Sequence, residues 1–169
     1  DLMKIGIIAP SNSIIGEKNV KIFNEAIKLF EDNGFEIIVG KNVFSDSECY
    51  CGTVEEKLED IYDVTSKAKY IICATGGINS NNILDKLDFN RIKNNIFIGN
   101  SNPVLLFNAL LSINKQVSYI GPNIKTIGKN KSQFSIDCIK NIINKKNIIL
   151  TEEPNIIINK GIGIGIAYG

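Results

Sequence analysis

The chain has 169 residues, of which 44% are hydrophobic, which suits one domain with a full core and is too short for two ordinary domains. Its 19 basic and 18 acidic residues give a net charge of +1, so nothing in the electrostatics favours nucleic acid or an anionic membrane as partner. No apolar run reaches the ~20 residues that span a bilayer, and the N-terminus lacks a secretory pattern, so a cytoplasmic location is expected.

Histidine is absent from the sequence, so a mechanism that uses an imidazole base cannot be completed by this chain alone. The four cysteines are Cys49, Cys51, Cys73 and Cys138. Cys49 and Cys51 form a C-x-C pair without a second pair or a histidine, whereas a zinc site needs about four ligands. We therefore expect no metal, and cysteines that behave as small hydrophobic groups in a reducing compartment.

Short apolar runs alternate along the chain with amphipathic helical patterns. Strands are predicted at 3–9, 35–39, 70–74, 96–99 and 117–120, with late strand-like pieces at 148–150 and 156–158. Helices are predicted at 17–33, 53–68, 82–87, 103–113 and 132–144, and the second begins with a capping box of Thr53 and Glu56. This alternation predicts a parallel sheet with helices on both faces, whose sites lie at the carboxyl ends of the strands.

The segment from Ile96 to Pro103 is the first candidate site. A buried strand reaches Gly99, the chain turns at Asn100 and Ser101, and a helix follows, which is the layout of a nucleophile elbow. The helix N-terminus would offer free amides beside the hydroxyl. On spacing alone, a simple N-cap role for Ser101 also stays open.

Three further loops follow predicted strands. Gly76 and Gly77 would let the backbone approach a ligand, and their amides could form half of an oxyanion hole, although a plain turn fits equally well. The other two loops are A-P-S-N-S at 9–13 and Y-I-G-P-N at 119–123. The glycines at 161, 163 and 165 do not complete G-x-G-x-x-G and do not lie between a strand and a helix, so no dinucleotide cofactor is expected.

Taken in order, these loops resemble the LD-carboxypeptidase/microcin-immunity family of serine peptidases. The similar stretches are I-G-I-I-A-P-S at 5–11, G-F-E-I-I-V-G at 34–40, T-V-E-E-K-L at 53–58, G-G-I-N-S-N at 76–81, I-G-N-S-N at 98–102 and G-P at 121–122. The resemblance covers essentially the whole chain up to about residue 125. It implies a flavodoxin-like three-layer α/β sandwich with a mostly parallel sheet, akin to class I glutamine amidotransferases.

The resemblance also implies a division of the chain and roles for its residues. Residues 1–150 would form the nucleophile-bearing domain, and 151–169 a linker and the start of a C-terminal domain that this chain does not contain. Ser101 would be the nucleophile of a Ser-Glu-His triad whose glutamate and histidine lie in that second domain. The remaining site positions would be the oxyanion donors Gly77 and Asn102, with Gly76 and Asn100 beside them, and the pocket-loop residues Ser11 and Asn79.

Members of the family cleave the amide between an L- and a D-residue in muropeptides, in peptidoglycan recycling, or detoxify peptidyl-nucleotide antibiotics. The implied partner is thus a small muropeptide-like peptide, and relatives often form homodimers. This sequence departs from the family at Asn100, Asn102 and Pro103, where tyrosine, aspartate and a residue other than proline are usual. A divergent, non-catalytic peptide-binding domain therefore stays open, as does a receiver-like signalling domain, although the first loop has no carboxylate for that role.

Overall fold

The computed structural model describes residues 3–146. It contains a five-stranded sheet of β1 (Met3–Ile8), β2 (Phe35–Val39), β3 (Tyr70–Cys73), β4 (Ile96–Gly99) and β5 (Tyr119–Ile120). The strand order is β2-β1-β3-β4-β5, and all four pairings are parallel. This is the flavodoxin-like order, in which the crevice lies where the chain direction switches between β1 and β3. The predicted α/β fold is confirmed.

In the described part of the chain, five helices cover the sheet: α1 (Glu17–Asp32), α2 (Val54–Lys67), α3 (Val104–Asn114), α4 (Ile124–Asn130) and α5 (Gln133–Ile143). Two separate hydrophobic clusters show how they divide between the faces. The first joins the sheet to α1, α4 and α5 through residues such as Phe23, Ile127 and Ile139. The second joins it to α2 and α3 through residues such as Ile61 and Leu106. The result is the predicted three-layer sandwich.

Helix α2 begins as its sequence predicts. The Glu56 amide donates to Thr53 Oγ1 over 3.1 Å, and the Thr53 amide donates to Glu56 Oε2 over 2.7 Å. Both bonds of the capping box are therefore made, and two otherwise unpaired amides of the first turn are satisfied.

Two predictions of local structure differ from the structure. The helix predicted over 82–87 is replaced by two short 3₁₀ turns, Ser80–Ile83 and Phe89–Arg91. The segment is too short for its hydrogen bonds to offset the free-energy cost of nucleating an α-helix. Helix α4 was not predicted. The late strands at 148–150 and 156–158, and the linker at 151–169, lie outside the described residues.

Cys73 is fully buried at the end of β3, and burial raises the pKa of its thiol, so it stays neutral and acts as a core residue, as predicted. Within residues 3–146, no three His, Cys, Asp or Glu side chains lie close enough together to hold a metal ion. Over the same range, no helix combines the length and apolar character needed to cross a membrane.

Candidate active site

Ser101 occupies the turn between β4 and α3 with a φ of 62°. A left-handed conformation is unfavourable for a residue that has a Cβ, and such strain is concentrated at functional positions. The Ser101 carbonyl accepts the Val104 amide over 2.9 Å, which joins the turn directly to the first turn of α3. The side chain is exposed rather than directed into the core. This is the geometry of an elbow that presents a hydroxyl above the sheet edge.

The diglycine turn after β3 lies against Ser101. A Cβ placed on Gly76 would be 3.0 Å from Ser101 Cβ and 3.1 Å from its Oγ, so a side chain there would crowd the hydroxyl. Gly77 has a φ of 142°, and a Cβ on it would overlap the side chain of Asn12. Both glycines are therefore required by close approach, and the two loops that the sequence singled out do meet.

The Asn102 side chain connects three loops beneath the elbow. Its Oδ1 accepts the Ser11 hydroxyl over 2.6 Å and the Ser80 backbone amide over 2.7 Å. Ser11 Oγ in turn accepts a hydrogen bond from the backbone amide of Asn79 over 3.2 Å. Ser11 and Ser80 are both fully buried, so these bonds satisfy groups that water cannot reach. The aspartate that the resemblance leads one to expect at 102 is replaced by a residue that keeps the required acceptor oxygen.

Asn100 forms a reciprocal pair with Asn123. The Asn123 side chain donates to Asn100 Oδ1 over 2.6 Å, and the backbone amide of Asn100 donates to Asn123 Oδ1 over 3.2 Å. Asn123 is only 4% exposed, so the pair fixes the loop after β5 to the start of the elbow. The residue that stands in the family's tyrosine position therefore has a defined structural partner.

Asn79 and Asn12 hold the diglycine turn from the other side. Asn12 Oδ1 accepts hydrogen bonds from the Asn79 side chain over 3.0 Å and from the Ile78 backbone amide over 3.2 Å. The backbone amide of Asn12 donates to the Gly76 carbonyl over 3.3 Å. In the described part of the chain, neither the Gly77 nor the Asn102 amide donates to a backbone carbonyl. Both amides thus remain candidates for binding an oxyanion.

A pocket of about 640 Å³ opens beside Ser101, within the size range of small-molecule sites. The loop after β1 contributes Asn12 and Ser13 to its lining, whereas Ser11 lies buried below them. The sequence analysis did not identify the pocket residues Asn19, Tyr50, Lys125, Thr126 and Lys129. Among these residues only Tyr50 has an unusual backbone conformation, with a φ of 68°, and a φ angle cannot be predicted from the sequence.

A strained serine at a strand–helix turn, above a parallel sheet and beside a diglycine turn, has the layout of a nucleophile elbow. The chain belongs to peptidase family S66: residues 5–121 match the family's LD-carboxypeptidase N-terminal domain. The resemblance of its motifs to that family is thus confirmed.

Relatives with assigned names agree with this placement. A Treponema pallidum protein named as a carboxypeptidase is 28% identical over 143 residues, which cover 82% of this chain and 42% of that protein. A Bacillus subtilis protein named as a murein peptide carboxypeptidase is 26% identical over 126 residues, covering 72% and 38%. The chain therefore spans about two-fifths of the length of these relatives.

Solved structures agree on the fold. A MccF-like protein from Bacillus anthracis gives a TM-score of 0.74 at 24% identity, covering 83% of this chain and 44% of that one. A muramoyltetrapeptide carboxypeptidase from Oxalobacter formigenes gives 0.71 at 24%, covering 83% and 47%. The microcin C7 self-immunity protein MccF bound to aspartyl sulfamoyl adenosine gives 0.75 at 21%, covering 83% and 44%.

Proposed function

We propose that this chain is the nucleophile-bearing domain of a serine carboxypeptidase that cleaves an L,D-peptide bond in a muropeptide-like substrate or a related peptidyl conjugate. The observation that carries the proposal is the strained φ of Ser101 with Gly76 packed against its hydroxyl. A structural N-cap would not need a left-handed serine or a neighbour without a side chain.

In the proposed reaction, Ser101 Oγ attacks the scissile carbonyl and its proton passes to a base. The carbonyl oxygen gains negative charge, which the backbone amides of Gly77 and Asn102 stabilise. Loss of one such donor typically raises the barrier by about 3–4 kcal/mol. Collapse of the tetrahedral intermediate expels the amine, which takes the proton from the base. Water then hydrolyses the acyl-serine by the same steps, and Ser101 is regenerated.

The base is the component that this chain does not provide. Histidine is absent from the sequence. By resemblance to the family, the base would be a histidine, oriented by a glutamate, in a C-terminal domain. We therefore propose that the 169-residue chain alone has no appreciable peptidase activity, because removal of a triad base in comparable enzymes reduces turnover on the order of a million-fold. The exposure of Ser101 supports a site completed from outside the chain.

The test uses the protein with its second domain and a tetrapeptide that ends in an L,D bond. We expect release of the terminal D-residue by the intact protein, and loss of that release in Ser101→Ala and in the 169-residue chain. Ser112→Ala changes an exposed serine of α3 and is the matched control, which should keep normal activity. Binding without turnover by the intact protein would favour a non-catalytic peptide-binding domain, and hydrolysis by the short chain at a normal rate would overturn the divided triad.

A further inference from the structure

The charge of the pocket beside Ser101 is entirely positive in the described part of the chain. Lys125 and Lys129 are the charged side chains that line it, and no carboxylate lines it with them. Neither lysine takes part in the ion pairs formed within residues 3–146, whereas the nearby Lys131 pairs with Glu25 at 3.4 Å. Two uncompensated cations thus lie next to the proposed nucleophile.

The position of these lysines is set by how α4 packs. Ile124, Ile127 and Gly128 are buried on the side of the helix that faces the core. A Cβ on Gly128 would overlap the Ile22 carbonyl oxygen of α1, so the two helices are in direct backbone contact there and α4 cannot rotate freely. The opposite side of α4, with both lysines, consequently faces the pocket.

A backbone hydrogen bond connects Lys125 to the site itself. Its amide donates to the Ala74 carbonyl over 3.0 Å, two residues before Gly76. Lys125 and Lys129 are four residues apart on the helix, so their side chains leave the same side of it, and like charges at this spacing are unfavourable when no anion lies between them. An anion in the pocket would remove this repulsion, which favours a negatively charged ligand group at this wall.

We infer that Lys125 and Lys129 bind the terminal carboxylate of the substrate residue that leaves on cleavage. This inference rests on the proposed function. Every carboxypeptidase substrate carries that carboxylate one residue beyond the scissile carbonyl, so a substrate engaged by Ser101 brings it into the same pocket. The lysines then select for peptides with a free C-terminus, and they are specificity-determining residues that take no part in bond cleavage.

The test compares an L,D-linked tetrapeptide acid with the same peptide carrying a C-terminal amide, using the protein with its second domain. Lys125→Met and Lys129→Met keep the aliphatic stem and remove the charge, and Lys28→Met, on an exposed part of α1 outside the pocket, is the control. We expect each pocket variant to lower kcat/KM for the acid by about tenfold or more, mainly through KM, because hydrogen bonds to charged groups are of that strength. The amide peptide, already a poor substrate, should change less than about threefold.

A second measurement separates this inference from the proposed function. Calorimetry with Ser101→Ala measures peptide-acid affinity without turnover, and adding the lysine substitutions should weaken it by a similar factor. If the intact protein cleaves the peptide through Ser101 while the lysine variants treat acid and amide as the wild type does, the carboxylate assignment is wrong and the peptidase assignment stands. If cleavage does not depend on Ser101, the proposed function itself fails.

Discussion

The Ser11 hydroxyl donates to Asn102 Oδ1 over 2.6 Å, and this bond connects the loop after β1 to the turn that presents Ser101. The same oxygen accepts the buried Ser80 amide, so a single side-chain atom fixes three strand-end loops relative to one another. Both bonds require an acceptor oxygen at position 102, but that oxygen need not be charged. At position 102 an amide oxygen thus holds the loops together where the family resemblance implies an aspartate carboxylate.

Asn102→Asp should therefore be tolerated, because a carboxylate oxygen can accept the same two bonds. Asn102→Leu should lower the free energy of unfolding by about 1–3 kcal/mol for each buried group left unpaired, and should displace Ser101. Urea unfolding of both variants measures the difference. Asn24→Leu on the exposed face of α1 is the control, and equal stability of all three variants would refute the structural role of the asparagine.

Much of the fold could be predicted because its local signals and its tertiary structure agree. The strand at 35–39, the strand at 96–99 and the capping box of α2 all lie where their sequence patterns place them. Buried parallel strands are continuous apolar runs, and the helix stop signals between them are strong. The alternation of strands and helices could therefore be predicted from the sequence.

The unpredicted features depend on contacts between distant segments. Helix α4 has seven residues and includes Gly128, so its own helix propensity is weak; it forms because the glycine allows close packing on α1. The pairing of Asn100 with Asn123 and the acceptor role of Asn102 could not be predicted from the local sequence either. An asparagine side chain can bond to many groups, and its sequence neighbours do not determine which one. The pocket lysines were missed for the same reason, since their helix was missed.

The two glycines of the diglycine turn should respond differently to alanine. Gly77→Ala forces a Cβ onto a residue with a φ of 142° and into the Asn12 side chain, so it should destabilise the fold by about 1–3 kcal/mol. Gly76→Ala has no positive φ to strain, and its Cβ meets Ser101 instead. We expect it to fold nearly normally but, if the proposed function holds, to lose kcat/KM in the protein with its proposed second domain. Thermal unfolding and peptide hydrolysis measured in parallel distinguish the two effects, and a stable, active Gly77→Ala would contradict the assignment.

Asp60 should make stability depend on pH. Burial raises the pKa of this carboxyl above its usual 3.8, and the hydrogen bonds from Asn42 act in the opposite direction. The folded state therefore holds a proton that the unfolded chain releases, so this contribution to stability is full below about pH 3.8 and is lost as the pH rises through the folded pKa. Asp60→Asn should flatten that decrease in urea-unfolding curves collected from about pH 4 upward. Asn42→Ala removes the opposing side-chain hydrogen bond but keeps the one from the backbone amide, so it should make the decrease modestly steeper. An unchanged slope in both variants would contradict the assignment.

Gly128→Ala tests whether α4 is held by backbone contact with α1. Alanine normally stabilises a helix interior by up to about 1 kcal/mol relative to glycine, so helix propensity alone predicts a more stable protein. The overlap of the new Cβ with the Ile22 carbonyl predicts the opposite sign, a loss of about 1–3 kcal/mol as α4 moves away. Asn130→Ala, at the exposed end of the same helix, gains propensity without a new contact and should be neutral or stabilising. Urea unfolding decides between the two signs, and a stabilised Gly128→Ala would mean that the lysine-bearing side of α4 is free to turn away from Ser101.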